Sequence, residues 1–102
     1  MQLLTKPLRK KIPPLYATEQ IPDPTVWCKF FYPDFSWDWY VIEFDGQDLF
    51  FGYTDGDFAE LGYFRLSELI SNRGKLGCPI ERDRFFAPCR LSEVKKNIAA
   101  RL

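Results

Sequence analysis

Between Phe51 and Phe64 the chain reads FGYTDGDFAELGYF, with the carboxylates of Asp55, Asp57 and Glu60 set among aromatics and glycines. Clustered carboxylates can hold a cation, run acid–base chemistry, or form an acidic docking surface. The spacing does not suit calcium, whose loops place oxygens at alternate positions and close with a glutamate at the last one. Asp45 and Asp48 of the preceding turn could add ligands only if both turns lay at one end of a sheet. Successive turns of a meander lie at opposite ends. Local turn chemistry explains the residues better. Asp55-Gly56 is a hairpin-turn signal. Asp57-Phe58-Ala59-Glu60 has capping-box spacing, which predicts a single helical turn closed by Gly62. Neither a metal nor a cofactor is expected.

Acid–base or covalent catalysis has little to work with. The chain has no histidine, which removes the commonest general base, the commonest zinc ligand and every Ser-His or Cys-His nucleophile. Paired carboxylates without such partners carry little specificity. Glu93-Val94-Lys95 has the E-x-K spacing of some metal nucleases, but it falls in the first turn of an amphipathic helix, where charges are ordinary. Cys28, Cys78 and Cys89 are far apart and form no C-x-x-C pair, so free thiols in a reducing cytoplasm are expected. The basic run Lys6 to Lys11 leads into IPPLYATEQ, which is no signal sequence, and no segment reaches membrane-spanning length. A cytoplasmic, non-enzymatic protein is the expectation.

Charge is sorted along the chain. With 14 Lys+Arg against 14 Asp+Glu the net charge is zero, unlike a generally basic nucleic-acid binder. Yet Phe30 to Phe64 holds Asp34, Asp38, Glu43, Asp45, Asp48, Asp55, Asp57 and Glu60 and no Lys or Arg. An acidic surface built from Asp45, Asp48, Asp55, Asp57 and Glu60, flanked by Trp37, Trp39 and Tyr53, would suit a basic protein partner, including one evolved to hold nucleic acid. The plainer alternative is a solvated acidic face that keeps sheet edges unpaired. A second reading is a single-stranded nucleic-acid binder, with Trp37, Trp39, Tyr40 and Tyr53 stacking bases and Lys29, Arg82, Arg84 and Arg90 meeting phosphates. The acids on the same strands would repel a phosphate backbone. A carboxylate-based metal enzyme ranks third.

The elements that must position these residues are legible in outline. Thr5 can cap a short helix with Pro7 in its first turn and Leu4, Leu8 and Ile12 on one face. Pro13-Pro14 stops it, and Pro13 to Pro24 reads as an extended connector. Thr25 to Tyr32 is a strand, and Pro33 to Ser36 a turn. Trp37 to Asp45 is a central strand with Trp37, Trp39 and Val41 on one face and Tyr40, Ile42 and Phe44 on the other. Asp45-Gly46 turns into Leu49 to Thr54, and a short strand, LGYFR, follows the acidic knot. Ser67 is expected to cap a short helix that Gly74 stops, Ile80 to Phe86 to form a strand, and Ser92 to cap a final helix striped by Val94, Ile98 and Leu102. The echo of RLSEL and RLSEV reads as two similar helix starts. The sum is one α+β domain over residues 1–102. Its central antiparallel sheet has four to five strands in a meander, packed by N- and C-terminal helices.

Several segments together resemble a known family. LLTKPLRKKIPPLY, the DP-x-V-x-x-KFF stretch from Asp23 to Phe31, W-x-WY, FFGYTDGDFAELGYF, LSEL, RG-x-LG-x-PIERD and the late LSEV are similar, in order and over nearly the whole chain, to the bacterial family catalogued as domain of unknown function 2958. The resemblance implies a bacterial, cytosolic, mobile-element setting, in which small proteins often blunt restriction or CRISPR defences. It supplies no site residues.

Overall fold

Between Trp39 and Phe44 every residue is apolar except Glu43, and such a run reads as a strand with both faces covered. The computed structural model describes residues 2–101. In it β2 (Cys28–Tyr32), β3 (Phe35–Phe44), β4 (Leu49–Asp55), β5 (Ala59–Arg65) and β6 (Glu81–Arg82) form an antiparallel five-stranded sheet of order β5-β4-β3-β2-β6. β1 (Thr25–Val26) pairs with β7 (Cys89–Arg90) in a separate two-stranded ribbon. The helices are α1 (Lys6–Lys11), α2 (Leu66–Ser71) and α3 (Leu91–Ala100). No helix among the described residues is long and apolar enough to cross a membrane.

The sheet is sandwiched between two cores. On one face Phe30, Trp39, Val41, Phe44, Phe50 and Phe64 pack with Leu4, Ile12 and Leu69 from the two short helices and their flanks. Phe30 and Phe50 are fully buried, 5.7 Å apart between ring centroids. Each contributes about 1.5–3 kcal/mol through burial. On the other face Tyr40, Ile42 and Tyr53 pack with Val26 and with Leu91 and Val94 of α3.

Phe44 lies on the opposite face from the one that strict alternation predicts. The ladder pairs Val41 with Gly52 but Glu43 with Phe51, so Ile42 is an extra residue. Such a bulge puts two successive side chains on one side and inverts the strand beyond it. Phe44 therefore joins Val41 and Phe50 in the larger core, stacked on Phe50 at 4.6 Å. Gly52 opposite the bulge leaves no room for a side chain, since a Cβ would lie 2.0 Å from the Tyr40 carbonyl oxygen.

The bulge also buries Glu43, which is only 3% exposed. Its carboxylate accepts N–H bonds from Tyr16 (2.8 Å) and Thr18 (2.9 Å) and the Thr18 hydroxyl. These bonds tie down the connector. It is not extended as expected: residues 15–20 form successive turns, with Tyr16 in the left-handed region at φ 70°.

Other elements differ from expectation for similar long-range reasons. The Asp57–Glu60 capping box and its helical turn do not form. β5 begins at Ala59 and runs in continuous register with β4, from Asp55↔Ala59 to Leu49↔Arg65. Seven ladder positions outweigh one local cap. Ser67 and Ser92 do not cap their helices either, because each lies inside its helix and binds a distant aspartate. Asp48 accepts the Ser67 N–H and hydroxyl, both at 2.8 Å. Asp23 accepts those of Ser92 at 2.9 and 2.7 Å. The RLSE echo is thus one device used twice, a helix start after a strand with a carboxylate supplied from another element. Gly74 does not stop α2, which ends at Ser71 with Asn72 as cap. It lets the loop close over Asp34, whose carboxylate accepts the Leu76 and Cys78 N–H groups. The strand over Ile80 to Phe86 shrinks to β6, because Asp83 turns the chain by accepting the Phe85 N–H. The first strand is broken at Trp27, whose N–H bonds to the Val41 carbonyl. Thr5 caps α1 as expected, accepting the Leu8 N–H. Leu102 of the predicted α3 stripe lies outside the described residues.

Candidate functional site

The acids divide by the work they do. Asp45 folds its own turn: one carboxylate oxygen accepts the N–H groups of Gln47, Asp48 and Leu49, and Gly46 follows at φ 86°. The Gln47 bond, then those of Leu49 and Asp48, hold its pKa below the ordinary value. The bonds from Ser67 do the same for Asp48, which also lies 3.6 Å from Arg65. Asp38 and Asp55 oppose each other across β3 and β4 on the α3 face. Two like charges so placed repel. Arg101 at the end of α3 reaches both, at 3.5 and 3.7 Å, and Lys29 lies 3.9 Å from Asp38. Arg101 also meets the Tyr40 hydroxyl, whose pKa burial and then Asp38 push up to about 12. With Asp34 and Glu43 bound as described, six of the eight acids between Phe30 and Phe64 are engaged within the fold.

The other two are Asp57 and Glu60. Both are exposed, and among the described residues neither carboxylate makes a hydrogen bond or an ion pair. They rim a cleft of about 340 Å³ formed with Trp37, Trp39, Phe58 and Phe64. Its floor is built by the sheet. Trp37 and Trp39 alternate onto the same face of β3, with ring centroids 5.8 Å apart. The turn after β4 presses Gly56 onto the Trp37 ring, where a Cβ would stand 2.7 Å from the indole. That contact holds Asp57 and Phe58 beside the rings, and Phe58 is 80% exposed. Tyr32 and Phe35 continue the aromatic surface into an adjoining cleft that also takes in Asp57 and Asn72.

The predicted docking residues therefore separate. Trp37, Asp57 and Glu60 meet at one place, with Trp39 beneath them as a largely buried floor. Asp45 and Asp48 sit at the turn between β3 and β4, the far end of β4 from Asp57. Asp55 faces α3. Tyr53 is buried under that helix with the Lys95 ammonium 5.4 Å above its ring. Of the predicted nucleic-acid residues, Arg82 and Arg84 line one cleft together with Lys11, whereas Lys29 and Arg90 lie outside it. Lys29 is paired with Asp38, and Arg82 bonds to the carbonyls of Gln2 and Leu3. Arg84 and Arg90 are exposed on the segments beyond β6.

A second cleft, also of about 340 Å³, opens on the α3 side of β5. Leu61, Tyr63, Phe51, Tyr16, Ile21 and Lys95 are among its lining residues. Tyr16, Ile21, Leu61 and Tyr63 are each about half exposed, at 59, 49, 48 and 54%. Sequence reasoning missed this cleft because it read Asp57 to Gly62 as a helical turn. The available signal was the mirror length of Leu49–Asp55 and Ala59–Arg65 about a short turn.

No group of three or more His, Cys, Asp or Glu side chains able to hold a metal occurs among the described residues. Burial raises the pKa of Cys28 to about 12 and also raises those of Cys78 and Cys89. Buried in the core, the Cys28 thiol is held in its unreactive protonated form. The exposed surface around the tryptophan cleft combines aromatic faces with the two free carboxylates of Asp57 and Glu60.

A protein-family model described as "Protein of unknown function (DUF2958)" matches residues 3–101. No curated protein and no solved structure matches the chain.

Proposed function

The chain belongs to the DUF2958 family of unknown function, and on that footing we propose that it is a non-enzymatic protein-binding accessory protein of a bacterial mobile genetic element. It acts in the cytoplasm on a partner with a basic surface. The supporting observation is the contrast among its acids. Six are held by internal partners, whereas Asp57 and Glu60 stand free on the rim of the tryptophan-floored cleft. Free carboxylates beside aromatic faces suit a Lys or Arg side chain, which gains from both the charge and the ring.

Purified protein and an Asp57→Asn/Glu60→Gln variant, each immobilised and exposed to bacterial lysate, test the surface. A protein retained by the first and lost by the second is the expected result. Equal retention overturns the assignment. The narrower form of the proposal is inhibition of a host defence, restriction or CRISPR. Expression should raise the transformation efficiency of a targeted plasmid in a defence-positive host, and an unchanged efficiency removes that form. The single-stranded nucleic-acid reading has thinner support, since Lys29 and Arg82 are engaged within the fold. A labelled oligonucleotide at low salt should give a flat titration.

A further inference from the structure

β5 lies at the end of the sheet and, among the described residues, pairs only with β4. Exposed edge strands present unpaired N–H and C=O groups, and soluble proteins usually blunt them with lysine, proline, a bulge or brevity. β5 has no lysine, proline or bulge, and its two charges, Glu60 and Arg65, leave the run from Leu61 to Phe64 between them uncharged. It is seven residues long, AELGYFR, and its register with β4 is unbroken. The opposite edge, β6, has two residues. The sheet is thus protected on one side and open on the other.

The open edge runs between the two clefts. Side chains alternate along a strand, so Glu60, Gly62 and Phe64 line the tryptophan cleft and Leu61 the cleft beside α3, with Tyr63 bordering both. Gly62 has no packing reason to be glycine, since nothing lies within 4 Å of a Cβ placed there. A glycine within a strand often marks the close approach of another backbone or ligand. Here it leaves a gap on the cleft side between Glu60 and Phe64.

We propose that β5 is the acceptor strand for an extended segment of the partner protein, which adds to the sheet as a sixth strand. Its side chains fall alternately into the two clefts, basic ones against Trp37, Asp57 and Glu60, and apolar ones against Leu61, Tyr63, Phe51 and Ile21. Backbone hydrogen bonds supply affinity, and the alternate pockets supply specificity. The pattern recognised is therefore basic–apolar alternation in an unstructured or edge segment. Charge complementarity selects this occupant, because the only carboxylates left unpaired between Phe30 and Phe64 border the cleft that takes the basic side chains. The inference rests on the basic-partner reading above and adds the partner's conformation.

The test uses a fluorescein-labelled nine-residue peptide of alternating Arg and Val, titrated with the full chain and followed by fluorescence anisotropy. Two further peptides carry backbone N-methyl groups on all the arginines or on all the valines, so that each loses the donors of one strand edge. A fourth has the same composition with the arginines grouped. Saturable binding of the parent peptide is expected, weakened at least tenfold in one of the N-methylated forms and in the grouped form. Asp57→Asn/Glu60→Gln should weaken the parent several-fold. Gly62→Val, which fills the gap while favouring the strand, should also weaken it with no loss of thermal stability. Equal binding of both N-methylated peptides, still sensitive to Asp57 and Glu60, overturns the added strand and leaves the acidic surface standing. Binding that ignores the two carboxylates overturns the basic-partner reading itself. No binding of the parent overturns the proposal, as does a sedimentation result showing a dimer that Gly62→Val dissociates, which would assign the edge to a second copy of the chain.

Discussion

Glu43→Gln is the most informative single substitution. The wild-type carboxylate accepts the Tyr16 and Thr18 N–H groups at 2.8 and 2.9 Å and the Thr18 hydroxyl. Glutamine preserves the shape but keeps a single acceptor oxygen, and its NH₂ faces an N–H that also donates. Hydrogen bonds to charged groups contribute about 1.5–3 kcal/mol each. Losing one, weakening the others to neutral strength and opposing two donors together give a loss of about 2–4 kcal/mol. A domain of this size has about 5–15 kcal/mol in all. At about 4–8 °C per kcal/mol, the expected drop in Tm is about 10–30 °C. Urea unfolding followed by tryptophan fluorescence measures the loss. Faster amide exchange at Tyr16 and Thr18 than elsewhere would localise it to the connector. A change below about 0.5 kcal/mol, with exchange at those amides unaltered, would refute the claim that Glu43 anchors the connector.

Two glycines of the same cross-strand pair should behave oppositely. Gly52→Ala drives a Cβ to 2.0 Å from the Tyr40 carbonyl and should destabilise by more than about 2 kcal/mol. Gly62→Ala meets open space and should be neutral or stabilise by up to about 1 kcal/mol. Urea midpoints that reverse this order would place the bulge elsewhere. The carboxyls of Asp23 and Asp48 sit below the ordinary carboxylate value, Asp23 chiefly through the Ser92 hydroxyl and Asp48 chiefly through the Ser67 N–H. A folded value below the unfolded one means their contribution is full above the unfolded pKa and is lost as pH falls through the folded one. Asp23→Asn or Asp48→Asn should therefore flatten the fall of the urea midpoint between about pH 5 and about pH 2, and an acid limb as steep as wild type contradicts the capping role. Cys28, with its pKa pushed up to about 12 by burial, should resist a thiol reagent at about pH 8 until denaturant is added. Immediate labelling of Cys28 in native protein, located by peptide mapping, counts against its place in the core.

How far each feature was legible follows the distance over which its cause acts. The α1 helix was read correctly because Thr5, Pro7 and the bond from the Leu8 N–H all lie within four residues. The two-sided burial of β3 was legible because apolar residues at both odd and even positions require cover on both faces. The family likeness was legible in the order of the segments. The capping-box reading of Asp57 and Glu60 failed where a local preference competed with pairing to β4. Ser67 and Ser92 were given the wrong roles because their carboxylate partners lie 19 and 69 residues away.

The residues themselves determined that this is an α+β chain without histidine chemistry, with its acids gathered into the sheet-forming half. Tertiary structure decided which acids remain available. Composition cannot reveal that Arg101 folds back onto Asp38 and Asp55, or that Asp48 and Asp23 are used as distant helix caps. Nor can alternation reveal the bulge at Ile42, which sends Phe44 to one core and Glu43 to the connector. An engaged carboxylate and a free one are the same residue in the sequence. Only the packing around Trp37 and the open edge of β5 distinguishes Asp57 and Glu60 from the six that the fold consumes.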